Sequence, residues 1–155
     1  MNRRTRLAIS AVALLLCLEV ALPDAFAQHG GTAAEAKAML AKAVAAVKAD
    51  KDKALEMFKE GQGGFLEGDL YPFCFNVSDG KIVVGQAKQV VGQDIRTLKD
   101  PTGKAFGEDI YKAGTRDKIT EVRYMFPRPG SDTPVPKVSF VTKVGDLGCG
   151  VGYYK

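Results

Sequence analysis

The sequence predicts an α+β fold: N-terminal helices, then a two-strand hairpin, then a three-strand meander. Three observations lead there. A capped, alanine-rich stretch with helical spacing begins at Thr32. Within Gly68–Gly85, two apolar runs, the first of them Leu70–Val77, flank Asp79-Gly80. Asp-Gly between apolar runs is a strong hairpin signal, because Gly tolerates the positive φ of tight turns. Three further apolar runs follow after a long excursion over 86–117. Helices grouped before strands make an α+β layout.

Residues 1–27 read as an export signal peptide outside the fold. Arg3, Arg4 and Arg6 form a basic region, and Leu7 to Leu16 is an apolar stretch too short to span a bilayer comfortably. Ala25-Phe26-Ala27 fits small-x-small cleavage, so Gln28 opens the mature chain and the protein is periplasmic or secreted. Rival readings fit less well. Arg6 stands where a twin-arginine signal wants an apolar residue, and Leu16 is large for the position before a lipidated Cys17. An uncleaved segment kept as an anchor is the remaining alternative.

The mature region, 28–155, is one domain by length. It divides into a helical segment, 28–62, and a sheet and pocket region, 63–155. The whole chain carries +4; removing Arg3, Arg4, Arg6, Glu19 and Asp24 leaves +3. Charges of both signs, with no basic block, argue against a nucleic-acid partner. No second apolar stretch could span a membrane, so no membrane span is expected in the mature chain.

Thr32-Ala33-Ala34-Glu35 is a capping box. Ala36, Leu40, Val44 and Val47 then recur at helical spacing. Asp50 caps a second helix carrying Leu55 and Phe58, unless the two run on as one; Gly61, Gly63 and Gly64 end it. Leu70–Val77 is apolar throughout, as in a strand buried on both faces. Pro72 belongs at its start or at a bulge. The excursion holds a turn at Asp100–Gly103 and a short helix over 104–113. Ile119–Phe126, Val135–Val144 and Leu147–Tyr154 complete the sheet, with Gly145-Asp146 as a tight turn.

The order of these pieces resembles the Cache domain, the single-Cache type of bacterial extracytoplasmic sensors. GGFLEGDLYPFCF (63–75), SDGK (78–81) and VVGQDIRTLKDPTGKAF (90–106) carry the resemblance. So do Tyr124 and Phe126 before Pro127, PKVSFV (136–141) and GDLGCGVGYYK (145–155). It implies a long N-terminal helix packed on a five-stranded antiparallel PAS-like sheet, with a small-molecule ligand, often a carboxylate, on the other face. The sequence stops at Lys155, which leads to the expectation of a stand-alone domain without its own signalling output. A receptor or transport protein would then be the partner that reads it.

Alternation puts Tyr71, Phe73, Phe75 and Val77 on one side of the first strand, and Thr120, Val122, Tyr124 and Phe126 on one side of the third. Phe73 and Phe75 are expected in the core. For Tyr71 and Tyr124, core packing and pocket lining both stay open. Lys137 shares a face with Ser139, Val141 and Lys143, which alternation alone reads as solvated. The resemblance instead aims Lys137 into a pocket, beside Tyr71, Tyr124 and Phe126, to meet a ligand carboxylate. Gly148, Gly150 and Gly152 share a face, expected to receive the long helix. Cys74 and Cys149 fall on strands that are neighbours in a PAS-like order. A disulfide and two buried free thiols both stay open.

Catalysis finds little support. His29 is the sole histidine, near the mature terminus, so no Ser-His or Cys-His pair suggests itself. No zinc-ligand set, haem motif or phosphate loop is present, and no cofactor is expected. The expected function is small-molecule binding for extracytoplasmic sensing. The alternatives are a structural or protein-interaction module with a self-filled pocket, and a thiol-redox role for Cys74 and Cys149.

Overall fold

The computed structural model describes residues 30–155. The expected leader and His29 lie outside the described residues. Helix α1 spans Ala33–Ala49. The Thr32 hydroxyl accepts from the Glu35 N–H at 3.2 Å, and the Glu35 carboxylate accepts from the Thr32 N–H at 2.8 Å. This is the reciprocal capping box. The buried stripe is Ala36, Met39, Leu40, Ala43 and Val47. Val44 is half-buried at its edge, since helical geometry carries it about 80° round from Ala36. The chain does not continue as one helix. Asp50 ends α1 and caps α2, Lys51–Glu60, accepting from the Lys53 N–H at 3.1 Å.

Five antiparallel strands form one sheet: β1 Pro72–Asn76, β2 Ile82–Val84, β3 Thr120–Pro127, β4 Pro134–Val144 and β5 Leu147–Tyr154. Their spatial order is β2-β1-β5-β4-β3. Strand β1 is shorter than its apolar run, with Pro72 as first residue. The β1–β2 link is five residues rather than a two-residue turn. Asp79 accepts from the Lys81 N–H at 2.9 Å, an Asx-type contact that competes with the strand ladder. Gly80 takes φ +76° within this link. In the excursion, helix α3 spans Phe106–Gly114, preceded by single 3-10 turns at Lys88–Val90 and Ile95–Thr97. Asp100 holds this segment to β3, accepting from the Met125 N–H at 3.1 Å and the Lys104 N–H at 3.1 Å.

Both faces of the sheet are covered, which explains runs too apolar to alternate. On one face α1 and α2 pack over Cys74, Val84, Phe140, Val144, Leu147 and Val151. On the other, α3 and the excursion pack over Phe75, Ile82, Val122, Tyr124 and Val141. Register places Cys74 directly opposite Cys149, and the two are joined in a disulfide under α1.

The glycine face of β5 is not where α1 packs. Parity decides this: Leu147, Cys149 and Val151 meet the helices, so Gly148, Gly150 and Gly152 point the other way. There the aromatics of β1 pack closely against Gly148 and Gly150. A Cβ on Gly148 would fall 2.3 Å from the Phe75 ring, and one on Gly150 would fall 2.5 Å from the Phe73 ring.

Two outcomes follow for stability. Gly148→Ala forces the fully buried Phe75 ring to move, and chemical denaturation should show a loss of about 1–3 kcal/mol. A loss under half a unit would refute the close approach. Removing the bridge with Cys74→Ala/Cys149→Ala should cost about 2–4 kcal/mol, and thiol titration of the unreduced, denatured protein should find neither cysteine free.

Candidate functional site

Three strands bring their side chains together at Lys137. Its register partners are Tyr124 on β3 and Tyr154 on β5. Directly paired positions share a face, and here it is the face covered by α3. Tyr71, one residue before β1, completes the group. Lys137 is 2% exposed. The solvated face read from alternation is therefore overturned: α3 and the excursion turn it into a second core. Gly152 makes room for the lysine stem. A Cβ there would come within 2.5 Å of Lys137 Cε and 2.4 Å of Ser139 Oγ.

The ammonium group sits among aromatic rings. Its Nζ lies 4.4 Å from the Tyr71 ring centre, 4.5 Å from that of Tyr154 and 5.2 Å from that of Phe126. It donates to Tyr71 Oη at 2.8 Å and Tyr154 Oη at 3.0 Å. It forms no ion pair among the described residues. Burial pushes its pKa down to about 7; nearby Asp69 opposes that shift and Arg128 adds to it. Burial raises Tyr71, and proximity to Tyr154 raises it further. Burial also lifts Tyr124, against the hydrogen bond with Ser139, and lifts Tyr154 to about 12. All three phenols stay neutral donors near pH 7.

Hydrogen counting shows what the group lacks. An ammonium has three donors, and Lys137 uses two. Tyr154 gives its own hydrogen to the Pro127 carbonyl at 2.7 Å. Tyr71 Oη is 3.5 Å from Tyr154 Oη, so its hydrogen is open to a better acceptor. Tyr124 Oη and Ser139 Oγ are 2.8 Å apart, which leaves one of their two hydrogens over. The site therefore presents a surplus of donors around a buried amine and no anion to receive them.

Lys137, Tyr71 and Tyr124 border one of two adjacent spaces, and Tyr71 borders both. An inner cavity of about 50 Å³ is lined by Tyr71, Phe73, Phe106, Tyr124, Phe126 and Lys137, among others. An outer, more polar chamber of about 180 Å³ shares Tyr71, Gln86 and Phe126 and adds Arg128, Ser131 and Asp132. The four residues singled out by sequence, Tyr71, Tyr124, Phe126 and Lys137, thus border one cavity. Phe75 is core, but Phe73, expected in the core, also lines the inner cavity. Tyr154, Ser139, Arg128 and Asp69 were not among the sequence candidates. Parity could have found Tyr154, two residues beyond Gly152 on the same face. Ser139 lies one step from Lys137 on a face already drawn. The Arg128–Asp69 pair joins positions 59 residues apart and left no local signal.

Comparison with known proteins agrees with this architecture. Residues 18–154 match the family model for single Cache domain 2. The chain is similar to a periplasmic sensor domain of a chemotaxis protein (TM-score 0.60, 25% identity, covering 78% of this chain and 88% of that one). It shares its fold with a methyl-accepting chemotaxis protein from Vibrio parahaemolyticus (TM-score 0.63, 24% identity, 78% and 86% covered). It is also similar to a Cache chemosensory domain whose structure was described as the basis for carboxylic acid recognition (TM-score 0.57, 25% identity, 78% and 86% covered). With helices on one face of a five-stranded antiparallel sheet and a pocket on the other, this chain belongs to the single Cache domain 2 family.

Proposed function

We propose that this chain is an extracytoplasmic Cache domain that binds a small organic acid by its carboxylate and passes the bound state to a partner protein. One observation carries the reading: a buried Lys137 amine with no counter-ion, ringed by open donors at the edge of an apolar cavity. An arriving carboxylate supplies the missing acceptor. Each charged hydrogen bond it forms is worth about 1.5–3 kcal/mol. The described carboxylic acid recognition by a similar domain at 25% identity supports the same chemistry. The Cys74–Cys149 disulfide supports an oxidising compartment. Among the described residues no helix is long and apolar enough to cross a membrane. The donors are arranged to hold an anion.

A second reading is a module whose pocket is filled by its own side chains. It draws on the two hydrogen bonds Lys137 already makes and on the small inner cavity. A thiol-redox role fits less well, since both cysteines are fully buried beneath α1.

A thermal-shift screen across aliphatic, hydroxy and keto acids separates these readings. At 100 times Kd a true ligand stabilises by about 2.7 kcal/mol. Lys137→Met should abolish that response while leaving a folded protein; no response from any acid would favour the self-filled pocket.

Lys137 also sets a pH dependence. Its folded pKa of about 7 lies below the ordinary lysine value of 10.5. Between those values the unfolded chain holds a proton that the folded, empty protein has released. Stability of the empty protein should therefore rise with pH across that window. Carboxylate binding needs the ammonium, so it takes up a proton there, and affinity should fall by up to about tenfold per pH unit above 7. Calorimetry in buffers of different ionisation heat checks the proton uptake; Lys137→Met should flatten both trends.

A further inference from the structure

Arg128 is a second cation at this site, and its charge is already matched. Its guanidinium pairs with Asp69 and lies over the Tyr154 ring, 4.7 Å from the ring centre. Asp69 is held from two sides, because its other oxygen accepts from the Gly31 N–H at 2.7 Å. Its side chain is only 11% exposed. Backbone packs over the pair: a Cβ on Gly30 would sit 3.1 Å from Asp69 Oδ2 and 3.2 Å from Arg128 Nη1. The chain entering α1 thus fixes the ion pair at the rim of the outer chamber. Asp132 lines the same chamber. Once Asp69 matches Arg128, the unmatched charge left there is the Asp132 carboxylate.

We infer that Asp69 is a specificity-determining residue: by matching Arg128 at the rim, it restricts the site to acids with a single carboxylate. The inference rests on the proposed carboxylate anchor at Lys137. With one carboxylate held there, a second group a few carbons away reaches the outer chamber past Tyr71 and Phe126. Arginine binds carboxylates through a planar fork of donors, and Asp69 already takes one of them, Nη1, and matches the charge. A second carboxylate therefore finds a paired guanidinium and faces Asp132, and like charges brought together are strongly disfavoured. A hydroxyl or amino group meets no such penalty.

The test measures binding of two matched pairs, propionate with malonate and butyrate with succinate, by calorimetry. Wild type should prefer the monoacid of each pair by about tenfold or more. Asp69→Asn frees Arg128 and should shrink that preference by about tenfold, and Asp69→Asn/Arg128→Gln should restore it. If Asp69→Asn does not fold, Arg128→Gln alone decides, since it leaves Asp69 unmatched and should widen the preference. Equal or tighter diacid binding by wild type, or a preference unchanged in the variants, overturns the role of Asp69. That result leaves the anchor standing if monoacid binding still vanishes in Lys137→Met. No binding of any of the four acids to wild type overturns the anchor and the inference together.

Discussion

Burying the Lys137 amine without a counter-ion is the constraint on which the rest of this pocket depends. An isolated ion taken from water faces a penalty of several kcal/mol even after relaxation. Three aromatic faces and two tyrosine hydroxyls offset part of it. A desolvated cation–π contact contributes about 2 kcal/mol, so the balance is close, and a pKa of about 7 is where it rests. The lysine also dictates its neighbours. Gly152 must lack a side chain for the stem to lie along the sheet. Tyr154 must give its own hydrogen to Pro127, so that its oxygen stays free to accept.

The two sheet faces divide the work. The α1 face holds the disulfide and a closely packed apolar cluster. The α3 face holds a cluster that is incomplete around Lys137. Strand β5 serves both through its parity. Its odd residues fill the helix side, while on the other side Gly148 and Gly150 accept the aromatics of β1, Gly152 accepts the lysine of β4, and Tyr154 joins the site. A central strand with three of its eight side chains missing gives up packing of its own, and the β1–β5 bridge holds that strand to its neighbour.

Much of this was legible in the sequence because it is local. The capping box, the Asp50 boundary, the start of β1 at Pro72 and the β4–β5 turn each depend on a few adjacent residues. Alternation placed Tyr71, Tyr124 and Lys137 on definite sides of their strands, but it could not say which side faced water. That depends on α3 folding back over the sheet, and only the resemblance pointed to a pocket on that face. The direction of the β5 glycines failed for the same reason. Their spacing signals close approach without naming what approaches, and the aromatics came from β1 where the helix was expected. Asp69 and Arg128 stayed invisible because two charged residues 59 positions apart carry no pattern.

Charge is graded from rim to floor, and the grading gives the site a direction. At the rim Arg128 is matched by Asp69, so a ligand gains little by stopping there. At the floor the amine is unmatched and its neighbours hold donors without acceptors. An anion therefore gains most where water is most excluded, because a charged hydrogen bond strengthens as the local dielectric falls. The same grading makes the empty site tolerable. The lysine can release its proton when alone and regain it when an anion arrives, so the cost of burying a charge falls on the bound state, which has a partner to offset it. A permanently charged arginine in place of Lys137 would lose that option. At this position a lysine's ability to become neutral matters as much as its charge.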